Sequence, residues 1–555
     1  MRGTGTNAAR VGLVMTMLLA SCRSGELPSR TPRAEGSGAR IGPVIPARLY
    51  FNGKVYTAAS QLRHAEAIAV RSGKILRIGK SEDLRRELPD FELVDLRGRT
   101  VVPGFNDAHL HHIPDPAGIV VRFPPEDEPT TAKVRDAIAA AARKAPGSWI
   151  IVEVGIAVME DTAFDREYLD RIASANPVFV RAFYGHGHVL NSRALRELSI
   201  QEDIADPPGG RFGRTKAGRL DGHAFEYAEW ITGRRLAALA SDSDIAASQA
   251  HMFEEALHFG VTSVQNMSWT PAERYLRLAA SNRRAPRLRW INWQSNVAEG
   301  VLPRRASVDG STVSVSGIKW ILDGTPLERG AAISFPYNDS TTASRPNFSQ
   351  DEVNHFVDLA RAEHQQILLH AVGDVAIREA LVAAERIPPA ERAALRPRIE
   401  HGDWVSSEQD AALKALSMVV VQNPSHLVSV PMLERRFGPE RRAMRLASLA
   451  RGGVHVALGS DGPLNPYLNM MFAITHPYRP SEALTREEAV DAYTRESAYA
   501  ELAELEKGTL EQGKSADFAV LSQDIFSCPV PALPATFSVL TVVEGEVLSG
   551  AASQL

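Results

Sequence analysis

Apolar and polar positions along the middle of the chain predict a parallel sheet whose strands alternate with helices. Short apolar runs are separated by segments with helical apolar spacing, such as Asp351 to His364 and Asp374 to Ile387. This alternation is typical of an α/β fold, and the number of runs predicts a (β/α)8 TIM-like barrel. The eight runs are Thr100 to Phe105, Val261 to Met267, Arg287 to Gln294, Gly317 to Leu322, Gln366 to His370, Arg398 to His401, Met418 to Gln422 and His455 to Ser460.

The two ends of this region carry a different pattern, with strand-like runs but no helical spacing between them. Four such runs lie between Arg48 and Asp95, and two more lie at Asp517 to Leu521 and Ser538 to Val547. We therefore expect a small β-sandwich domain built from both ends, with residues 47–100 and 506–555. The barrel would take residues 101–505, with an insertion at about 113–251 after the first barrel strand, over the barrel mouth.

The N-terminus has the pattern of an export signal. Arg2 and Arg10 precede an apolar run, Val11 to Ala20, that is too short to span a bilayer as a helix. Residues 1–21 are therefore expected to be a signal peptide. The run ends in Leu-Ala-Ser-Cys at Cys22, which resembles the bacterial lipobox, in which the cysteine carries the lipid. The alternative is an ordinary signal peptide followed by an incidental cysteine.

Residues 22–46 follow as a Gly-, Ser-, Pro- and Arg-rich segment, which suits a flexible tether between the lipid and the folded domains. Cys528 is the one other cysteine, so a lipidated chain has no disulfide framework. The expected location is the cell envelope, on the periplasmic side, with the lipid as the membrane contact. Outer-membrane sorting is expected in a Gram-negative source, because no retention aspartate follows Cys22.

Composition is that of an ordinary globular protein, with 44% hydrophobic and 23% charged residues. The net charge of -4 and the lack of a long basic run give no support for nucleic-acid binding. We expect a small-molecule substrate as the partner. Homo-oligomerisation stays open.

Polar residues that can bind a metal end several of the apolar runs. His109 and His111 follow the first run at a spacing of two, which puts both imidazoles on one side of an extended chain. Further candidates lie at the fourth, fifth, sixth and eighth runs, namely Lys319, His370, His401 and Asp461. Since active residues of such barrels lie at the carboxyl ends of strands, these side chains are expected to meet.

These residue types point to a divalent ion, most simply one or two Zn²⁺ per chain. Histidine nitrogens and carboxylate oxygens are zinc ligands, and a catalytic site keeps one position open for water. Asp461 is the candidate base that takes the proton of that water. Lys319 can join only after losing its charge, and carbamylation would turn it into a carboxylate that bridges two ions.

Each candidate has a plain structural alternative when taken alone. A histidine in a strand is usually a hydrogen-bonded core residue, and Ser-Asp-Gly after an apolar run is usually a turn. A lone lysine is usually snorkelling or ion-paired. The placement of all six residues at predicted barrel strands favours the metal site.

The same motifs resemble those of the amidohydrolase superfamily, within it amidohydrolase family 3, which includes YtcJ-like proteins and N-substituted formamide deformylases. Residues 102–111 read VPGFNDAHLH, similar to the opening motif of that superfamily. Residues 318–325, 369–374, 398–401, 458–461 and 508–520 resemble its later motifs. The resemblance implies that the four histidines are metal ligands, Lys319 a carboxylated bridge and Asp461 a ligand or base. It also suggests His186, Glu226 and Arg329 as substrate contacts, although structural hydrogen bonding explains these three equally well.

The expected activity is hydrolysis of a carbon–nitrogen bond in a non-peptide amide, N-acyl or cyclic amide substrate. Metal-activated water would attack the polarised carbonyl, and Asp461 would pass the proton to the leaving nitrogen. Ester or lactone hydrolysis at the same site is the rival within enzymes. A lipid-anchored binding protein without catalysis, and isomerisation or deamination on the same scaffold, are the further alternatives.

Overall fold

A computed structural model describes residues 46–123, 128–294, 301–341, 344–438, 441 and 443–551 of the chain. The predicted signal peptide, Cys22 and all but the last residue of the predicted tether lie outside the described residues. In the described part, no helix combines the length and apolar character needed to cross a membrane.

Eight parallel strands form the central sheet, and each is hydrogen-bonded to its sequence neighbours in the sheet. The strands are Phe105–Leu110, Val261–Ser268, Arg287–Trp293, Val313–Ile321, Ile367–Ala371, Arg398–His401, Val419–Gln422 and His455–Leu458. The eighth strand returns to the first, where the Asp461 backbone N–H donates to the His109 carbonyl oxygen at 2.9 Å. The sheet is therefore a nearly closed barrel, and the predicted α/β barrel class is confirmed.

The first predicted barrel strand, Thr100 to Phe105, is wrong, because the run divides between two sheets. Thr100–Pro103 pairs with strands of the accessory domain, and the barrel strand is Phe105–Leu110. The division falls at Gly104, whose N–H donates to the Asp517 oxygen. A Cβ on Gly104 would lie 2.1 Å from the Thr262 hydroxyl oxygen, so only glycine fits at this crossing. The accessory strand thus extends three residues beyond the expected boundary at residue 100.

Strands from both chain ends form two further sheets that share one apolar core. One sheet has four strands, in the order Lys74–Gly79, Ala67–Arg71, Arg48–Phe51 and Glu92–Asp95. The other has six, in the order Glu546–Gly550, Ser538–Val543, Phe518–Leu521, Thr100–Pro103, Lys54–Tyr56 and His64–Ala65. Tyr50 of the first sheet contacts Phe518 of the second edge to face, with ring centroids 4.9 Å apart. Burial of such aromatic pairs stabilises the contact between the sheets.

The segment predicted as an insertion contains a six-stranded mixed sheet. Its strands are ordered Gly210–Arg214, Leu220–Glu226, Gly187–Leu190, Val178–Ala182, Trp149–Val154 and Gly118–Val121. Val152 and Val180 are fully buried, with helices Thr131–Lys144 and Arg166–Ala173 packed against the same cluster. The insertion therefore has a core of its own.

Helices cover the outside of the barrel strands. They begin where the sequence supplies caps: Ser241 with Asp244 and Ser349 with Glu352 form capping boxes. The helices from the insertion onward are Tyr227–Leu239, Asp242–His258, Ala272–Ser281, Gln350–Ala362, Asp374–Ala384, Pro389–Leu395, Asp410–Ala415, Val430–Phe437, Ala447–Arg451, Pro466–Thr475, Arg486–Tyr493 and Arg495–Ala500. Ser81–Glu87, Ile156–Met159 and Ser192–Glu197 are shorter helices of the accessory and inserted parts.

Candidate metal centre

The carboxyl ends of the first and fourth barrel strands bring two histidines and a lysine together. The Nε2 atoms of His109 and His111 are 3.1 Å apart, and Lys319 Nζ lies 3.2 Å from each of them. His109 and Lys319 are fully buried. Three nitrogens at this spacing cannot all carry protons toward one another, so at least one must present a lone pair.

Burial is the main cause that lowers the pKa of Lys319, to about 8, against the opposing carboxylates of Asp461 and Glu400. Its amine therefore loses its proton far more readily than a surface lysine. A neutral amine can bind a metal or react as a nucleophile, whereas an ammonium can do neither.

Asp461 lies opposite these residues, just after the eighth barrel strand. Its Oδ1 is 3.6 Å from His109 Nε2 and 3.5 Å from His111 Nε2, and its Oδ2 is 3.8 Å from His401 Nδ1. Burial alone would raise the pKa of Asp461, but the imidazoles around it, His109 foremost, hold that pKa well below its usual range. Asp461 is thus held as a carboxylate.

His370 and His401 end the fifth and sixth strands, with ring centroids 4.4 Å apart. Burial lowers the pKa of both well below the usual value, so both rings are neutral and have a lone pair. His370 is 3% exposed, and its Nε2 has no hydrogen-bond partner among the described residues. A buried imidazole whose ring nitrogen has no hydrogen-bond partner is unfavourable unless a ligand binds that nitrogen.

The donor set fits a divalent cation. One donor atom each from His109, His401 and Asp461 lie within 4.8 Å of one another. Neutral imidazoles with a carboxylate are the usual ligands of zinc and related ions. The unpartnered His370 nitrogen and the low pKa of Lys319 are consistent with the same site.

Neighbouring groups fix the orientation of the histidine rings. His109 Nδ1 lies 2.6 Å from Glu400 Oε2, and His111 Nδ1 lies 2.7 Å from the Met267 carbonyl oxygen. These acceptors favour the tautomer with the proton on Nδ1, which leaves each Nε2 free toward the centre. His401 Nδ1 lies 2.9 Å from Asn423 Oδ1.

Two residues beside the centre were not among the predicted site residues. Glu400 is fully buried and contacts both His109 and Arg398. His426 follows the seventh strand and places its Nε2 3.4 Å from Asp461 Oδ2. His426 follows the seventh barrel strand closely, after Asn423, Pro424 and Ser425. A search for polar residues just beyond each strand could therefore have identified His426.

The three predicted substrate contacts fall into two places. His186 Nδ1 is 3.0 Å from Glu226 Oε1, and the His186 ring centroid is 5.2 Å from that of His370. Burial alone would lower the pKa of His186, but the Glu226 carboxylate raises it to about 10. Arg329 is ion-paired with Glu160 and with Asp339. Its role as a substrate contact stays a prediction.

Comparison with known proteins agrees with the family resemblance of the sequence motifs. The model of the amidohydrolase family matches residues 92–549. The chain is 27% identical to N-substituted formamide deformylase of Arthrobacter pascens, over 90% of this chain and 97% of that protein. It is 25% identical to YtcJ of Bacillus subtilis, a protein named as an amidohydrolase, over 90% and 99% of the two chains.

A solved structure shares the fold. An uncharacterized metal-dependent hydrolase from Pyrococcus furiosus superposes with a TM-score of 0.65 at 25% identity. The match covers 87% of this chain and 100% of that one. The similarity therefore extends over the barrel and the accessory sheets together.

Proposed function

The chain belongs to the amidohydrolase family, and we propose that it is a metal-dependent hydrolase that cleaves a carbon–nitrogen bond in a non-peptide amide, N-acyl or cyclic amide. The observation that carries this proposal is that His111 and Asp461 lie within 3.6 Å of the buried His109 or Lys319 at the barrel mouth. Family membership supports hydrolysis in general. We infer the carbon–nitrogen bond from the resemblance to the formamide deformylase.

The ligands of the ion would be His109, His111, Lys319, His370, His401 and Asp461. Zn²⁺ held there would lower the pKa of water and polarise the substrate carbonyl. Glu400 keeps the His109 ring oriented through its 2.6 Å contact to Nδ1. Asn423 does the same for His401.

Asp461 would act as the base. Its carboxylate lies within 3.8 Å of three histidines, which keep it charged, so its oxygens have lone pairs for a proton from the attacking water. The same carboxyl would then donate that proton to the leaving nitrogen, so that no net proton is gained by the protein. His426, 3.4 Å from Oδ2, helps to hold the carboxylate in place.

Lys319 would bridge two ions after reacting with carbon dioxide. Its neutral amine forms a nitrogen–carbon bond to CO₂, an N–H proton is released to solvent, and a carbamate anion results. The lowered pKa of Lys319 favours this reaction because the neutral amine is the nucleophile.

His186 and Glu226 would contact the substrate, since the His186 ring lies 5.2 Å from that of His370. Arg329 is proposed as a further substrate contact, held in place by its ion pairs with Glu160 and Asp339. We also propose that Cys22 carries a lipid, which would anchor the enzyme on the periplasmic side of the cell envelope.

Metal content tests the centre directly. We would purify the mature protein beside a Lys319→Ala variant and measure divalent ions by elemental analysis. The centre is expected to hold about two ions per chain, and the variant to lose at least about one of them. Lys414→Ala is the control, because Lys414 bonds the Gly452 oxygen at the surface and should leave metal content unchanged. Equal metal in both variants would assign Lys319 a structural role instead.

Matched substrates test the bond that is cleaved. Pairs that differ only in an amide or ester linkage, including N-formyl and N-acetyl amines, would be assayed with metal-loaded protein. Faster turnover of the amides supports the proposal, while preference for the esters or lactones would replace it. Tight ligand binding by metal-free protein without turnover would instead indicate a binding protein.

A further inference from the structure

A second group of metal-binding side chains lies beside the proposed centre. One donor atom each from His186, Glu226 and Glu328 lie within 4.8 Å of one another. His186 Nδ1 is 3.0 and 3.1 Å from the two oxygens of Glu226. The proposed hydrolysis gives Glu328 no role.

Hydrogen bonds from neighbouring residues hold both carboxylates in fixed positions. Thr325 donates its N–H and its hydroxyl to the two oxygens of Glu328, and Asn347 donates to Glu226 Oε2 at 3.0 Å. The Oε1 atoms of both glutamates converge on Gly324, where a Cβ would lie 2.5 and 2.7 Å from them. Two anionic oxygens are thus aimed at one place, and no side chain fits between them.

The charge of these carboxylates is not balanced. Among the described residues, no lysine or arginine forms an ion pair or hydrogen bond with Glu226 or Glu328. Within that part of the chain, His186 is the one basic group in contact with Glu226, and a metal ion bound there would take the place of its proton. Both glutamates are part-buried, and carboxylates that share so little positive charge are stabilised when a cation joins them.

Glu229 gives an independent indication of a missing cation on the same side. It is 6% exposed, and its carboxyl receives no hydrogen bond within the described part of the chain. The nearest base is His188, with Nε2 at 3.4 Å, and burial keeps the pKa of that imidazole well below its usual value. Glu229 Oε1 lies 4.0 Å from the Cβ position of Gly185, the residue before His186. A buried carboxyl whose nearest basic neighbour is His188 therefore lies next to the group formed by His186, Glu226 and Glu328.

We propose that His186, Glu226 and Glu328 bind a divalent cation of the zinc or manganese class, at a site separate from the centre built around His109 and His111. One imidazole and two carboxylates are a known type of ligand set for such ions, and three protein ligands leave positions open for water. This site goes beyond the proposed hydrolysis, because an ion held here would meet the substrate in place of direct contacts from His186 and Glu226. It stands whether or not Lys319 bridges two ions.

The experiment separates the two sites by their ligands. Full-length mature protein, Glu328→Gln, His109→Asn/His111→Asn and the combination of all three substitutions would be dialysed against Zn²⁺ and analysed for bound metal. The double-histidine variant should keep about one ion per chain, and adding Glu328→Gln should remove it. Glu328→Gln alone should lose about one ion relative to the parent protein.

Controls keep the two proposals distinguishable. Glu273→Gln, a surface glutamate paired with Arg305, should leave metal content unchanged. If circular dichroism shows that the double-histidine variant does not fold, the metal content of Glu328→Gln relative to the parent protein still tests the second site. Unchanged metal content in Glu328→Gln overturns this second site, whereas unchanged content in the double-histidine variant overturns the centre proposed for hydrolysis.

Discussion

Glu400 is the residue on which the electrostatics of the centre depend most. It accepts from Arg398 Nε at 2.8 Å and Nη2 at 3.0 Å, and contacts His109 Nδ1 at 2.6 Å. Glu400 and Arg398 are both fully buried. Such a pair adds little net stability as a unit, but removing one partner leaves a buried charge without compensation.

Glu400→Gln is therefore expected to destabilise the metal-free protein by about 3 to 5 kcal/mol near neutral pH. Burial alone would raise the pKa of Glu400, but Arg398 and then His109 depress it well below 4.5. A depressed folded pKa gives stability that is present above the unfolded pKa and is lost as pH falls toward the folded one. The difference from the parent protein should thus shrink below about pH 4.5. Urea unfolding of both proteins at several pH values measures this difference in the free energy of unfolding.

A surface pair provides the comparison for that prediction. Glu92 pairs with Arg48 and has a 54% exposed side chain, so Glu92→Gln should cost less than about 1 kcal/mol. A similar small cost for Glu400→Gln at neutral pH would contradict the assignment of Glu400 as a charged, buried anchor of the centre.

Backbone strain marks the same region. Non-glycine residues with positive φ include His401 at 71° and Asp461 at 45° in the centre, and His186 at 67°, Glu226 at 53° and Arg329 at 64° beside it. This conformation is unfavourable for side chains with a Cβ and persists only where the surroundings hold it. At these five positions the surroundings hold the backbone in a conformation that sets the direction of a site side chain.

At the scale of elements, helix Gln350–Ala362 supports the strand that carries Lys319. Phe356 of the helix stacks on Trp320 of that strand, with centroids 4.6 Å apart and an interplanar angle of 4°. Trp320 and Lys319 point to opposite faces because side chains alternate along a strand. Packing behind the sheet thus fixes the position of the amine in front of it.

A network of ion pairs joins the insertion to loops of the barrel. Arg436 is fully buried, donates to Glu160 at 2.7 Å and to Asp339, and also contacts the Leu327 oxygen at 3.1 Å. Arg329 pairs with the same two carboxylates. Because Glu160 belongs to the insertion, these contacts hold it against the barrel mouth.

Arg436→Met should loosen that junction. Glu160 and Asp339 would keep Arg329 as their partner but lose the fully buried guanidinium of Arg436, and the Leu327 oxygen would lose its donor. We expect faster amide hydrogen exchange around helix Ile156–Met159 and the loop that contains Asp339. Exchange in the accessory sheets should stay as it is in the parent protein.

Arg445→Met is the matched control for this effect. Arg445 donates to both oxygens of Asp410, at 2.7 and 2.9 Å, within the barrel and away from the insertion. The same exchange pattern in both variants would show that the effect is general destabilisation and not the loss of the junction.

At the scale of the whole molecule, apolar periodicity was enough to predict the barrel, because each buried parallel strand is a continuous apolar run. It failed at Thr100 to Phe105, where one run serves two sheets. The break is caused by the close approach of Thr262 to Gly104, a contact between residues far apart in sequence. Patterns within a run carry no information about such contacts.

Part of the candidate site could also be predicted from the sequence, and part of it could not. Spacing alone places His109 and His111 on one side of a strand, and their Nε2 atoms are 3.1 Å apart. Glu328 lies within the long loop after the fourth barrel strand, and its closeness to Glu226 depends on how the insertion lies on the barrel. Residues in long loops are brought together only by tertiary packing, so sequence spacing could not identify that group.

The position of the molecule in the cell is the last property that the sequence predicts, and it depends on Cys22. If that thiol carries lipid, the chain should fractionate with membranes and enter the detergent phase in a phase-separation assay, because buried acyl chains dominate the transfer free energy. Cys22→Ser should move the protein to the aqueous phase with metal content unchanged. Cys528→Ser, the matched control, should stay with the membranes. Membrane association of the Cys22→Ser variant would show that the lipid is not the anchor and return Cys22 to an incidental residue after an ordinary signal peptide.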